Sequence, residues 1–442
     1  MTEKTQIAFY GDDFTGSTDA MEALSSNGIE TVLFTGIPDD ARLKAFNNAA
    51  AVGLAGTSRS QTPEWMDREL PRIFAWLRSL RAPICHYKVC STFDSSPAQG
   101  SIGRAIDIGL ETFKQEAALL IVGVPQLGRY TMFGELFARF RGEVFRIDRH
   151  PVMSRHPSTP MHEADLRRHL AQQTRTSIGL VELPALLAGD GSMALRKALD
   201  EDHKIIMIDV ADLLSLRCAG ALIDANLGSA APLIFGSSGV EYAYIETLRA
   251  GGNLAPAASS SPLLPQERIA VVSGSCSPTT EMQIRYASSH GFEPIEVDYA
   301  ALATGAGSER AETAAFDTAT AVLTSGRSPL LFTALGKPSI QPITDRRAND
   351  RVGRRLGALL NRLTAANGLK RVVVAGGDTS SHALSELHVG ALTLRHPIAQ
   401  SPGSPVCLGH RFDGSAPLEL VLKGGQIGNE DFFVRIRDGR LD

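Results

Sequence analysis

The 442-residue chain lacks a basic excess: 44 Lys and Arg stand against 48 Asp and Glu, a formal charge of -4. A general nucleic-acid binder needs that excess to displace phosphate counterions, so this class is excluded. Cysteine is scarce: Cys85, Cys90, Cys218, Cys276 and Cys407 are scattered, odd in number and without CxxC spacing. Such a set builds neither a disulfide framework nor a zinc site and fits a reducing compartment. No apolar run approaches a membrane span, and Met1-Thr2-Glu3-Lys4 opens no signal core, so a cytoplasmic protein with no membrane partner is expected. Several signatures are also missing. Gly336-Lys337-Pro338 lacks both the upstream glycine and the hydroxyl of a P-loop, and GxGxxG, GxSxG, HExxH and the protein-kinase set do not occur. These absences weigh against P-loop enzymes, dinucleotide dehydrogenases, serine hydrolases and zinc hydrolases. His162 and His382 lie near motifs but read as solvated or core-bonded, and no metal-ligating residues are assigned.

What is present is ordinary globular material, 43% hydrophobic and 21% charged, long enough for two domains. Short apolar runs alternate with amphipathic stretches. Candidate strands are Ile7–Tyr10, Thr31–Phe34, Ala51–Ala55, Ile84–Lys88, Leu119–Val124 and Ile205–Ile208, with helices such as Pro63–Leu80 and Ile102–Glu116 between them. A second series runs through Arg268–Val272, Pro329–Thr333, Arg371–Ala375 and Leu418–Leu422. The alternation predicts α/β units with largely parallel sheets. The small, polar, proline-punctuated segment 251–266 reads as a linker between domains at 1–250 and 267–442. Asp148–Pro160 reads as a long loop near a cleft.

The most informative stretch is Ile7-Ala8-Phe9-Tyr10-Gly11-Asp12-Asp13-Phe14-Thr15-Gly16-Ser17-Thr18-Asp19. A buried strand ends in two adjacent carboxylates, and a hydroxyl-rich turn opens a helix. In an open α/β sheet this is where ligands bind. Two acids there repel one another unless a polar or cationic group uses them. The plainer alternative is that one Asp caps the helix and the other is solvated. Lys88, Ser91 and Asp94 follow the strand Ile84–Tyr87, Arg59 follows Ala51–Ala55, and Arg129 comes after Leu119–Val124. Lysine or arginine beside hydroxyls and one Asp suits an anionic, hydroxylated small molecule, although each loop alone could be a polar cap.

The second half repeats one device three times. Ser273-Gly274-Ser275-Cys276-Ser277, Gly376-Gly377-Asp378-Thr379-Ser380 and Lys423-Gly424-Gly425-Gln426-Ile427-Gly428 each follow a strand-like run. Glycine at a helix start exposes N–H donors without an obstructing Cβ, which is what phosphate requires. Three unrelated turns would be the structural alternative.

Together these motifs resemble the four-carbon acid sugar kinase family over nearly the whole chain. Asp12 through Asp19 is similar to its amino-terminal signature and Lys88 through Ser95 to its internal one. The three glycine turns, the last extended through Asn429-Glu430-Asp431-Phe432-Phe433, are similar to its nucleotide motifs. The resemblance implies two α/β domains with an interdomain active-site cleft, and ATP with Mg²⁺ as the phosphoryl source. It implies transfer to the terminal hydroxyl of a sugar acid such as 3-oxo-tetronate, D-threonate or D-erythronate, with the branched 3-oxo-isoapionate a further option. An aspartate must orient or deprotonate the alcohol: Asp12 is the expected base, with Asp13 and Asp378 its rivals, and Asp378 is otherwise a nucleotide contact that helps hold Mg²⁺ through water. Asp13, Arg59, Lys88, Ser91 and Asp94 are implied to hold the sugar acid. Ser273, Ser275, Gly376, Gly377, Thr379, Gly424 and Gly425 are implied to hold the nucleotide. The loop Pro125-Gln126-Leu127-Gly128-Arg129-Tyr130-Thr131 departs from the Asn-Gly-Arg-Thr run of the oxo-tetronate branch. A homodimer is compatible with this reading. The competing reading is a non-enzymatic two-lobed sensor of acid sugars, which would leave the second-half glycine turns without a task.

Overall fold

The computed structural model describes residues 5–156, 158–226, 232–254, 261–336 and 348–441. The chain divides into two compact units, Met1–Val32 with Gly36–Ala257, and Leu33–Thr35 with Ala258–Asp442. Part of the expected linker, 255–260, lies outside the described residues.

The first unit contains β1 (Ile7–Gly11), the first half of β2 (Thr31–Phe34), β3 (Ala51–Ala55), β4 (Ile84–Lys88), β5 (Ala118–Ile121), β6 (Arg129–Met132), β7 (Glu135–Phe140), β8 (Glu143–Arg146), β9 (Ile178–Val181), β10 (Ile205–Ile208) and β11 (Leu233–Gly236). Seven of these run parallel in the order β3-β1-β4-β11-β5-β10-β9. Helices on both faces bury such strands fully, which is why β1 and β3 read as unbroken apolar runs, while β4 is as fully buried but carries His86 and Lys88. β11 approaches β5 so closely that a Cβ on Gly236 would lie 1.9 Å from the Ile121 carbonyl oxygen. The expected loop at Gly128–Thr131 is instead the start of an antiparallel three-stranded sheet, β6-β7-β8. Val122 to Val124, expected within the preceding strand, lie beyond β5. The Asp148–Pro160 segment contains two short 3₁₀ turns, Ile147–Arg149 and Met153–Arg155.

The second unit contains β12 (Ala270–Ser273), β13 (Phe292–Glu296), β14 (Ser328–Phe332), β15 (Arg371–Ala375), β16 (Val389–His396), β17 (Val406–Arg411) and β18 (Leu418–Lys423). Its order is β13-β14-β12-β15-β18-β17-β16. The first five strands are parallel, and β17 and β16 continue the sheet antiparallel. Val271, Val373, Val421, Ile284 and Phe433 meet in its core.

Arg371 is buried at the start of β15, where its guanidinium has a full set of acceptors. It donates to Glu419 Oε2 at 2.8 Å, the Ile436 carbonyl at 2.7 Å and the Leu264 carbonyl at 2.8 Å. This one side chain ties β18 to both ends of the unit. Arg371→Met leaves Glu419 with Arg395 alone at 3.2 Å and strands two carbonyls, so urea unfolding is expected to show a loss of about 3 kcal/mol. An unchanged midpoint would refute that role.

Among the described residues no helix is long and apolar enough to cross a membrane.

Candidate active site

In the first unit the sheet register brings three strand ends level, because Gly11 pairs with both Ala55 and Lys88. The chain continues from Gly11 into Asp12, whose backbone is clamped on both sides. Its N–H donates to the Lys88 carbonyl at 2.9 Å, and its carbonyl accepts from the Arg59 N–H at 3.0 Å. Asp13 caps the helix Phe14–Ser25, its Oδ1 accepting from the Gly16 N–H at 2.7 Å. The capping alternative therefore holds for Asp13. Its other oxygen accepts from Arg59 Nη1 at 2.9 Å.

Arg59 stands on the 3₁₀ turn Ser58–Ser60 after β3 and bridges two acids. Its Nη2 donates to both oxygens of Asp94 at 2.9 and 2.8 Å. Asp94 also accepts from Thr92 Oγ1 at 2.6 Å and Thr159 Oγ1 at 2.9 Å. Burial opposes its charge, but Arg59, the Thr92 hydroxyl and nearby His156 prevail and hold the Asp94 carboxyl well below the usual carboxylate range. Lys88, 2% exposed, reaches Asp19 Oδ2 at 3.3 Å. Its expected freedom to neutralise a bound carboxylate is therefore partly taken up by Asp19. Gly16 has no room for a side chain, since a Cβ would lie 2.8 Å from Lys88 Nζ.

Asp12 differs from its neighbours. It is 4% exposed, and its Oδ1 has no hydrogen-bond partner. Burial, followed by repulsion from Asp13, pushes its carboxyl up to about 8, against the pull of Arg59 and Lys88. A buried carboxylate oxygen without a donor, raised toward neutral pH, can take a proton from an alcohol. Ser91 is buried in the same loop as Asp94. Arg129 spends Nη1 on the carbonyls of Leu127, Gly128 and Arg139.

Asp12, Asp13, Arg59, Lys88 and Asp94 thus form one connected cluster. The sequence reading did not select Asp19, Thr92 or Thr159. Asp19 and Thr92 stood inside the quoted motifs, whereas Thr159 reaches Asp94 from a distant loop that no local pattern links to it.

The second unit repeats the levelling of strand ends. Ser273 pairs with Ala375, and Ala375 with Lys423. Each following turn bonds its neighbour: the Gly274 N–H donates to the Ala375 carbonyl at 3.1 Å, and the Gly376 N–H to the Lys423 carbonyl at 2.8 Å. Gly376 has φ +117°, open to glycine and strained for other residues. Beyond it the helix Gly377–Glu386 begins without a side-chain cap among the described residues, as a helix start that can offer its first N–H groups to an anion. A Cβ on Gly274 would meet Thr379 Oγ1 at 2.3 Å, and one on Gly425 would meet Ser275 Oγ at 2.9 Å. The three turns are therefore in contact, with Ser273, Ser275 and Thr379 buried among them. Asp378 lies in the first turn of that helix, and its side chain is outside the described part of the structure.

Two family models match the chain: a sugar-binding N-terminal domain over residues 7–244 and a nucleotide-binding C-terminal domain over residues 270–433. The chain is 44% identical to a 3-oxo-isoapionate kinase of Paraburkholderia graminis, covering 98% of this chain and 94% of that one. It is 31% identical to a 3-oxo-tetronate kinase of Cupriavidus necator, covering 98% and 96%. Among solved structures, a Salmonella typhimurium LT2 protein matches with a TM-score of 0.77 at 26% identity, covering 97% of each chain. The acidic strand-end cluster and the three glycine turns fall inside the two matched domains. The chain belongs to the four-carbon acid sugar kinase family.

Proposed function

We propose that this protein transfers the γ-phosphoryl group of ATP to a hydroxyl of a small oxo sugar acid of the 3-oxo-isoapionate type. Kinases of such acids are its relatives over nearly their full length. The non-enzymatic sensor has no support among them. The observation that favours the chemistry is the orphaned, buried Oδ1 of Asp12 beside two cations. Phosphoryl transfer asks mainly for positioning and charge stabilisation.

In this reading Arg59 and Lys88 offset the substrate carboxylate, while Asp13, Ser91 and Asp94 orient its hydroxyls. The acceptor oxygen forms a bond to the γ-phosphorus as the bond to the ADP oxygen breaks, and its proton passes to Asp12 Oδ1. Ser273, Ser275, Gly376, Gly377, Thr379, Gly424 and Gly425 are proposed to surround the phosphates. Among the described residues no three His, Cys, Asp or Glu side chains converge as a resident metal site. Mg²⁺ is proposed to arrive on the nucleotide and neutralise phosphate charge, with Asp378 reaching it through water. Five free cysteines accord with a cytoplasmic setting.

The preference for the branched acid rests on the higher identity to the 3-oxo-isoapionate kinase, 44% against 31%. A coupled ADP-release assay over 3-oxo-isoapionate, 3-oxo-tetronate, D-threonate and D-erythronate is expected to give the highest kcat/KM with 3-oxo-isoapionate. Equal or faster turnover of 3-oxo-tetronate would overturn the substrate, and ADP release with none of the four would overturn the reaction.

A further inference from the structure

Beneath the glycine turns of the second unit lies a lysine that the proposed chemistry does not use. Lys423, the last residue of β18, is 0% exposed. Among the described residues it forms no ion pair. Its Nζ donates to the Gly424 carbonyl at 2.9 Å, the Gly425 carbonyl at 3.4 Å and Thr280 Oγ1 at 3.2 Å. The Phe432 ring covers it at 5.9 Å. A buried ammonium without a counter-ion is costly, so the group either gives up its proton or meets an anion.

The geometry indicates what it does. In a trans peptide the C=O and N–H point in opposite directions. Drawing the carbonyls of Gly424 and Gly425 inward onto Lys423 turns the N–H groups of Gly425 and Gln426 away from it. Neither N–H finds a protein acceptor among the described residues. Gln283 acts likewise further along, its Nε2 donating to the carbonyls of Ile427 at 3.0 Å and Asn429 at 2.9 Å. Thr280 lies 3.0 Å from the Gly425 carbonyl and 3.1 Å from Ser275 Oγ, so the same ammonium reaches the first glycine turn through one hydroxyl.

We propose that Lys423 is a positioning residue for the nucleotide: it orients the Gly425 and Gln426 amides toward the phosphates and contributes a positive charge that the bound phosphates balance. This deepens the kinase reading, on which its nucleotide rests, but its test reads binding alone. Burial lowers the Lys423 ammonium to about 7, and a nearby phosphate raises it again, so the nucleotide is bound with uptake of a proton. The groups placed against it, Thr280, the Phe432 ring and Ala375 of β15, do not titrate.

Calorimetric titration of the full chain with ADP, at pH 8 in two buffers of different ionisation enthalpy, tests the proposal. The unmodified protein is expected to take up a fraction of a proton. Lys423→Met is expected to take up none and to bind ADP at least tenfold more weakly. Lys423→Arg, which keeps the charge, is expected to recover part of the affinity. Should Lys423→Met fail to fold, Thr280→Val leaves the lysine in place and is expected to weaken ADP several-fold. Tight ADP binding by a folded Lys423→Met, or proton uptake that persists in it, overturns the proposal. Loss of ADP release with every sugar acid, with ADP binding and its lysine dependence intact, would overturn the phosphoryl transfer instead.

Discussion

Asp12→Asn is expected to lower turnover by about 10³-fold while leaving the chain folded, the usual scale for loss of a general base. The substitution keeps the shape and the backbone clamp from Lys88 and Arg59, and removes only the proton acceptor. The pH profile provides a second signature. With its carboxyl at about 8, Asp12 is protonated at neutral pH for most of the time, so kcat/KM is expected to rise tenfold per pH unit up to that value and then level. The Asn variant should lose this limb.

Stability moves in the opposite direction, because the folded state holds this proton more tightly than the unfolded chain. Below about pH 4 the carboxyl is protonated in both states and burial costs little. As pH rises from there to about 8 the unfolded chain gives up the proton first, and folding becomes progressively less favourable. Asp12→Asn removes that cost and is expected to unfold at a higher temperature than the unmodified protein at pH 8.5. Steady-state assays showing near-normal turnover would take the base role from Asp12.

Removing the guanidinium that bridges two acids is the other large effect. Arg59→Met leaves Asp13 and Asp94 facing Asp12 without the cation between them, and the Asp94 carboxylate is fully buried. Breaking a buried pair on one side costs about 3–5 kcal/mol, so denaturant unfolding should show a loss of that order, and activity should vanish. The pH response should change sign as well. In the unmodified protein Asp94 is held below the usual range, so its contribution is present above about pH 4 and lost in stronger acid. Without Arg59 the burial penalty governs, and the variant should become more stable as pH falls from 7 to 5. Adding Asp94→Asn should restore much of the stability but none of the activity. If Arg59→Met melts like the unmodified chain, the bridge is not what holds these acids together.

The residues that the sequence revealed share one property: each stands at the end of a fully buried parallel strand or in the loop that follows it. Such strands announce themselves as apolar runs, so Asp12, Asp13, Arg59, Lys88 and Asp94 could be placed from the runs before them. What stayed hidden has physical reasons. β13, Phe-Glu-Pro-Ile-Glu, is an edge strand whose proline and acids mask it. β9 is an edge strand too, only half-buried along its four residues. β6 to β8 form a small exposed sheet with mixed side chains, which reads as loop. Lys423 was visible within its motif, but its burial under the turn depends on helix Pro278–Ser288 and Phe432, and no spacing rule connects them.

The position of β11 bears on how the first unit is made. This strand lies between β4 and β5, yet it is the last of the unit's strands in the chain. A ribosome therefore releases two strands with unsatisfied ladders long before their shared neighbour emerges. Until then the nascent protein has a gap at its centre, with backbone groups on either side open to pairing with another chain. A message cut short before the codons for Leu233–Gly236 would yield a product in which β4 and β5 never gain their shared neighbour.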